Sequence, residues 1–176
     1  MSEHVMLVDI DRCIRCHSCE VACKQEHDLP KGPKWTKVIT VEPRQVDGEV
    51  HTDFVFTSCV HCSEPVCTLV CPVEAISRGE DGIVLIDKEK CTGCGFCAAA
   101  CPYGAVHIYP GEKFAWKCDF CRERTDSGIE PSCVQHCAGG CLQWVTPKEL
   151  LEFTAGKHKA RTGKLCYTSE KWKLSI

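Results

Sequence analysis

Four cysteines between residues 91 and 102 have a type and spacing that could hold an inorganic cluster. They form the run Cys91-x2-Cys94-x2-Cys97-x3-Cys101, with Pro102 directly after it. Three cysteines at intervals of three residues on one tight loop can reach three corners of a small iron–sulfur cube, and the fourth is turned toward a second cluster. Zinc sites usually combine two separated pairs of ligands, and disulfides would not explain the even spacing. The run therefore predicts iron–sulfur ligation.

Three further cysteine sets repeat this pattern. In chain order the four sets are Cys13, Cys16, Cys19 and Cys23; Cys59, Cys62, Cys67 and Cys71; Cys91, Cys94, Cys97 and Cys101; and Cys118, Cys121, Cys133 and Cys137. The first set has the spacing of the third, the second has a middle gap of four residues, and the fourth a middle gap of eleven. Sixteen of the 18 cysteines are thus used, which is the ligand number of four [4Fe-4S] clusters.

The fourth set ends differently from the second and third sets, which close on Cys-Pro. Cys137 is followed by Ala138 and two glycines, and Cys141 comes four residues after Cys137. Cys141 is therefore a candidate substitute ligand, and three clusters are expected if this set is degenerate. Alone, the set would also suit zinc. Beside the other three sets, it indicates cluster ligation.

Short elements must position these loops. The sequence predicts a strand at Val5–Asp9, a short helix at Glu20–His27, and a hairpin whose arms, Thr36–Val41 and Val50–Thr57, flank the turn signal Asp47-Gly48. Alanine follows each Cys-Pro pair at the same distance, and an apolar stretch comes after it. Such internal repetition is expected of a β-α-β pair with pseudo-two-fold symmetry.

The C-terminal region has a different composition. Thr146, Pro147 and Glu149 predict a helix start with a capping box. After Thr154 the basic residues greatly outnumber the acidic ones: Lys157, Lys159, Arg161, Lys164, Lys171 and Lys173 against Glu170 alone. The sequence ends on Trp172, Leu174 and Ile176, which alternate with polar residues. This pattern favours docking of the tail on a partner over a solvated end.

Two histidines lie beside candidate ligands. His17 follows Cys16 and His61 precedes Cys62. Either could donate a hydrogen bond to cluster sulfur or relay protons, but an ordinary surface or satisfied histidine is the favoured interpretation of both.

Composition excludes several classes of function. The formal net charge is −3, and the basic residues concentrate in the tail, which argues against nucleic-acid binding. The sequence contains no stretch long enough for a membrane span and no secretory signal, so a cytoplasmic location is expected unless a partner carries an export signal. No nucleophile–base pair, phosphate loop or nucleotide fingerprint is present. By itself the protein is not expected to be an enzyme.

Taken together, the order and spacing of the four sets resemble the four-cluster iron–sulfur electron-transfer subunits of molybdenum and tungsten pterin oxidoreductases. These are the subunits of the dimethyl sulfoxide reductase, polysulfide reductase and formate dehydrogenase type. The resemblance covers roughly residues 5–144. It implies an α+β fold of two nested ferredoxin-like β-α-β modules with a hairpin insertion: an outer module of residues 1–35 and 103–145, and a hairpin with an inner module in residues 36–102. Residues 146–176 form the C-terminal helix and tail.

The resemblance also implies how the cysteines share the clusters. Site 1 takes Cys13, Cys16, Cys19 and Cys137, and site 2 takes Cys118, Cys121, Cys133 and Cys23. Site 3 takes Cys59, Cys62, Cys67 and Cys101, and site 4 takes Cys91, Cys94, Cys97 and Cys71.

The implied function is the relay of single electrons between a large molybdenum or tungsten pterin catalytic subunit and an external donor or acceptor, such as a further redox subunit or a ferredoxin. The chain looks similar to compact cytoplasmic versions, including those that serve tungsten aldehyde oxidoreductase-like subunits. Two alternatives stay open from the sequence. One is a maturation or scaffold protein for hydrogenase or formate dehydrogenase assembly, and the other is a structural zinc protein.

Overall fold

The computed structural model describes residues 4–46 and 48–171. Its strands are β1 (Val5–Asp9), β2 (Lys37–Thr40), β3 (Arg44–Val46), β4 (Glu49–His51), β5 (Phe54–Thr57), β6 (Ile76–Arg78), β7 (Val84–Ile86), β8 (Leu142–Val145), β9 (His158–Thr162) and β10 (Leu165–Ser169). Its helices are α1 (Ser18–Glu26), α2 (Val66–Leu69), α3 (Phe96–Ala100), α4 (Arg122–Asp126), α5 (Ser132–Gln135) and α6 (Pro147–Phe153). This mixture of short helices and small sheets confirms the predicted α+β class.

The largest sheet has the strand order β8-β1-β10-β9. β1 runs parallel to β10, with Met6 opposite Leu165, and antiparallel to β8. Every residue of β1 and of β10 is buried. The predicted strand Val5–Asp9 is confirmed, and its apolar run without alternation reflects cover on both faces. One face packs with Leu150 of α6, whereas Met6 and Val8 belong to the main core.

The sequence predicts a basic tail without strands after the C-terminal helix, and this is wrong for residues 158–169. These residues form β9 and β10, and β10 lies between β1 and β9 in the sheet. The basic side chains of β9 are not typical of a strand, so its sequence does not predict one. β10 is largely apolar and buried, and it pairs with a strand on each edge. The predicted helix start is confirmed, because Thr146 and Glu149 form a capping box at the N-terminus of α6. Trp172, Leu174 and Ile176 lie outside the described residues.

The predicted hairpin is present as two successive two-stranded pieces. β2 pairs with β5, and β3 pairs with β4 around the predicted turn, whose Asp47 lies outside the described residues. The buried Glu20 carboxylate links the hairpin to α1. It accepts a hydrogen bond of 2.8 Å from the Val38 N–H and forms an ion pair with Lys34. Burial opposes ionisation of Glu20, but the hydrogen bonds from Lys34, Val38 and His17 lower its pKa.

The second part of the core lies around β6, β7 and α3. β6 and β7 form an antiparallel pair, and Ile76 and Val84 pack against Cys97 and Val106. Helix α1 packs against α5, and α2 packs against α3. Across the described ranges no helix is long and apolar enough to cross a bilayer.

Candidate cluster-binding sites

The four cysteines of site 1 line one cavity. Cys19 lies on α1, Cys13 and Cys16 lie on the loop before it, and Cys137 lies two residues after the end of α5. Cys141 also lines this cavity. Helices α1 and α5 are neighbours, so the loop of the first set and the end of the fourth set meet. The structure thus brings together thiols from opposite ends of the sequence.

Site 4 has a second cavity, in which Cys71 joins three cysteines of the third set: Cys91, Cys94 and Cys97. The Ala115 N–H lies 3.3 Å from Cys91 Sγ and donates to it. Gly93 has a φ of +67° and approaches the neighbouring segment so closely that a Cβ there would lie 2.8 Å from the Lys113 carbonyl oxygen. Only glycine suits both requirements, so the loop closes around the cavity without a side chain intruding.

The thiols assigned to sites 2 and 3 lie near one another and influence one another's pKa. Burial raises the pKa of Cys133 well above its usual value, and the proximity of Cys118, Cys121 and Cys23 raises it further. In site 3, burial raises the pKa of Cys67 to about 11. Three neighbouring thiols add to that rise, namely Cys59, Cys101 and Cys62.

Left-handed backbone recurs between the cysteines of all four loops. The non-glycine residues concerned have φ values near +50° to +60°: Arg15 and His17 in the first loop, His61 in the second, and Phe120 and Cys121 in the fourth. Gly93 and Gly95 take this conformation in the third loop. Such residues let successive N–H groups converge into a nest, a concavity that binds anionic groups including iron–sulfur clusters. Non-glycine residues adopt it only under constraint. The backbone of each loop therefore suits an anionic cluster.

Burial also disfavours the bare thiolates. It raises the pKa of Cys19 and of Cys23 to about 12 in each case. Iron holds a coordinating thiol in its deprotonated form, so these positions suit a metal-bound sulfur. Across residues 4–46 and 48–171, no group of three or more His, Cys, Asp or Glu could hold a single metal ion. The thiols of sites 1 and 4 instead surround a cavity.

Lys117 places a buried cation next to site 3. Its side chain is 4 % exposed, and its Nζ donates to the carbonyl oxygens of Val84 and Cys118, the latter at 2.8 Å. Burial raises the pKa of Cys62 and Cys67, and the positive charge of Lys117 partly offsets this rise. The cysteine spacing does not point to this residue, although the apolar residues around it in Phe114-Ala-Trp-Lys-Cys indicate burial.

His61 differs from the surface or satisfied histidine that the sequence favours. It is 1 % exposed, its Nδ1 accepts a hydrogen bond from the Val84 N–H at 2.9 Å, and its ring stacks on Phe120. Burial and the charges of Lys117 and Lys164 lower its pKa well below the usual value. The neutral ring therefore carries its proton on Nε2, which has no hydrogen-bond partner among the described residues. His17 is half-exposed and contacts Glu20 at 3.2 Å, as an ordinary surface histidine would.

His27 is a second functional residue that the cysteine pattern does not identify. Its Nε2 lies 3.3 Å from Cys121 Sγ and 3.7 Å from the Asp119 carboxylate, and its ring packs on Trp35. The signal in the sequence is its distance from Cys23. It comes four residues after Cys23, just as Ala75 follows Cys71.

The chain is similar to known iron–sulfur proteins. The 4Fe-4S dicluster domain matches the chain twice, over residues 50–146 and over residues 12–75. The thiosulfate reductase electron transfer subunit PhsB of Salmonella typhi is 38% identical over 175 residues, which covers 92% of this chain and 89% of that protein. A subunit of the anaerobic dimethyl sulfoxide reductase of Escherichia coli is 36% identical over 143 residues, covering 77% of this chain and 70% of its own length. A tetrathionate reductase subunit of Salmonella typhimurium is 42% identical over 138 residues; the match covers 78% of this chain but only 55% of that longer relative.

Two dicluster domains correspond to four [4Fe-4S] clusters, as predicted from the cysteine sets. The relatives carry the names of electron-transfer and reductase subunits, which supports the relay and not the maturation alternative, and a 4Fe-4S domain leaves no role for a structural zinc protein. The chain therefore belongs to the 4Fe-4S dicluster family, among the iron–sulfur electron-transfer subunits of reductases.

Proposed function

We propose that the chain relays single electrons through four [4Fe-4S] clusters held at sites 1 to 4 with the ligands assigned above. When bound, each cluster accepts and releases one electron. The observation that carries the proposal is that each cysteine-bearing helix holds, on it or just after it, two cysteines four residues apart, which the assignment gives to different sites. Cys19 and Cys23 on α1 belong to sites 1 and 2, and Cys67 and Cys71, on and after α2, belong to sites 3 and 4.

The proximity of sites 2 and 3 would complete a linear order. Burial raises the pKa of Cys118 in site 2 well above its usual value, and Cys59 in site 3 is close enough to raise it further. The sites would therefore follow one another as 1, 2, 3 and 4. This order supports two nested ferredoxin-like modules, with sites 1 and 2 in the outer module (residues 1–35 and 103–145) and sites 3 and 4 in the inner module within residues 36–102.

In this relay the protein holds the clusters, excludes water and adjusts their potentials. N–H groups that point at ligand sulfur stabilise the added negative charge of the reduced state. The Ala75 N–H donates to Cys71 Sγ at 3.2 Å, and the Ala105 N–H donates to Cys101 Sγ at 3.4 Å. No substrate chemistry is required of the chain.

The proposed partner is a large molybdenum or tungsten pterin catalytic subunit in the cytoplasm. It is supported by relatives named as subunits of tetrathionate, thiosulfate and dimethyl sulfoxide reductases. The other end of the relay would meet a further redox subunit or a ferredoxin. Docking through residues 146–176 stays a prediction, and within that region α6 exposes Leu151 and Phe153.

The test is to purify the protein anaerobically and to measure its iron–sulfur cluster content and the proteins that co-purify with it. Four cubanes give about sixteen iron and about sixteen acid-labile sulfide per chain. We also expect interacting EPR signals on reduction and a stoichiometric pterin-containing subunit that co-purifies. Little iron would overturn the relay. Transient binding to an immature enzyme, without a stable complex with the mature one, would favour an assembly role.

The contact of His27 with Cys121 leads to a prediction about site 2. A hydrogen bond to ligand sulfur favours the reduced cluster. Replacing His27 with phenylalanine should therefore lower the midpoint potential of the site 2 cluster, by about 30–60 mV if the equilibrium changes up to tenfold. The measurement is an EPR-monitored redox titration. His158→Phe on the exposed face of β9 is the control, and equal potentials in both variants would contradict the role of His27.

A further inference from the structure

Site 1 has a cysteine at a position where sites 3 and 4, the two sites of the inner module, have alanine. Ala75 and Ala105 each follow a ligand cysteine by four residues and donate their N–H to its sulfur, at 3.2 and 3.4 Å. Cys141 stands at the same distance after Cys137. The buried methyl group of the inner sites is thus replaced at site 1 by a buried thiol.

This thiol lies inside the site. Cys141 is 4 % exposed, and its Sγ is 3.6 Å from Cys137 Sγ. Both cysteines line the cavity that also contains Cys13, Cys16 and Cys19. The cavity has five thiols for a cluster with four iron corners. Because Cys137 and Cys141 lie 3.6 Å apart, their two sulfur atoms could reach the same iron.

The loop between the two cysteines is fixed on both sides. The Gly140 N–H donates to the Cys137 carbonyl at 2.9 Å, and the Asp9 N–H donates to the Cys141 carbonyl at 2.8 Å, which joins the start of β8 to the end of β1. A Cβ at Gly139 would lie 2.5 Å from the Arg12 carbonyl oxygen. The tight turn therefore holds both thiols at the cavity in the folded protein.

We propose that Cys141 is a second ligand for the iron position served by Cys137, so that either sulfur can complete site 1. The exchange is balanced without redox change. The Fe–S bond to Cys141 forms as the bond to Cys137 breaks, and the proton of the incoming thiol passes to the leaving thiolate. The inference rests on the proposed cluster at site 1.

The experiment compares site 1 with site 3, where no spare thiol stands at the corresponding position. Iron, sulfide and EPR spectra are measured on anaerobically purified full-length variants. Cys137→Ala should keep about sixteen iron per chain, whereas Cys101→Ala, which has Ala105 at the corresponding position, should fall to about twelve. Cys141→Ala should keep about sixteen because Cys137 suffices. The double variant Cys137→Ala/Cys141→Ala should fall to about twelve.

The outcomes separate the two proposals. A wild-type protein with little iron overturns the relay itself. With about sixteen iron in the wild type, a loss of about four iron in Cys137→Ala alone, or in Cys141→Ala alone, overturns the exchangeable ligand. If Cys137→Ala does not fold, Cys137→Ser is read by EPR: a wild-type-like signal supports ligation by Cys141, and a new signal from an oxygen ligand refutes it. As a gain-of-function arm, Cys101→Ala/Ala105→Cys should recover the lost iron, and failure to do so counts against the geometry.

Discussion

In the Lys117→Met protein we expect the cluster at site 3 to be reduced at a lower potential than in the wild type. Among the described residues, the buried Lys117 ammonium donates to carbonyl oxygens, which carry no full negative charge. A nearby negative charge would offset its loss of hydration. The positive charge of Lys117 lowers the pKa of the neighbouring thiols Cys62 and Cys67, against the larger effect of burial. Removing it should make the added electron less stable, by about 60–120 mV, since a tenfold change in a one-electron equilibrium is about 59 mV.

The control for this prediction is Lys88→Met, which removes the same charge from an exposed position over the ring of Trp116. Lys117→Arg should restore most of the potential because the positive charge stays. The potentials are read from EPR-monitored titrations at one ionic strength. A site 3 potential that is the same in Lys117→Met and Lys88→Met would show that the buried charge does not act on this cluster.

Replacing Gly163 with alanine should destabilise the protein strongly and release iron from site 3 first. Gly163 has a φ of +54°, and a Cβ there would lie 2.1 Å from the Val60 carbonyl oxygen and 2.7 Å from that of His61. The next residue anchors the same contact, because the Lys164 N–H donates to the Val60 carbonyl at 2.7 Å. Backbone atoms must move apart, so we expect a loss of about 2–4 kcal/mol in the free energy of unfolding.

A matched glycine separates the two causes of this loss. Gly156 has a φ of +74°, and a Cβ there would meet nothing within 4 Å. Gly156→Ala therefore reports the cost of the left-handed backbone alone, about 1 kcal/mol. Thermal unfolding and the rate of iron release to a chelator, both under anaerobic conditions, are the measurements. If the two variants lose stability and iron equally, the turn at Gly163 does not support the loop of the second set.

Most of the chemistry could be predicted because cysteine spacing is a local property of the sequence. The capping box at Thr146 and the strand Val5–Asp9 were predictable for the same reason, since each depends on neighbouring residues. The helix predicted at Glu20–His27 begins two residues earlier, at Ser18. The helix starts directly after His17, whose backbone is left-handed. Histidine as a residue type does not predict that conformation.

The rest depends on contacts between distant parts of the chain. β9 carries lysine and arginine on a strand at the sheet edge, and its strand character appears only once β10 is in place. The burial of Lys117 and His61 depends on the approach of β7, because both side chains bond to the backbone of Val84. The position of His27 beside Cys121 needs the cross-pairing of the first and fourth sets. The periodicity of apolar residues and the spacing of cysteines do not predict such contacts between distant residues.

The parallel pairing of β1 with β10 has a consequence for biosynthesis. It is reinforced by a 2.8 Å hydrogen bond between Ser169 and Asp11, 158 residues apart along the chain. Pairings of such long range form late. On the ribosome, all the cysteines of sites 3 and 4 emerge by residue 101, well before residues 165–169 can close the sheet beside the first set. We therefore expect site 4 to be loaded on the nascent chain. Site 3, whose loop rests on Gly163 and Lys164, and the outer pair should be loaded only after synthesis has passed β10.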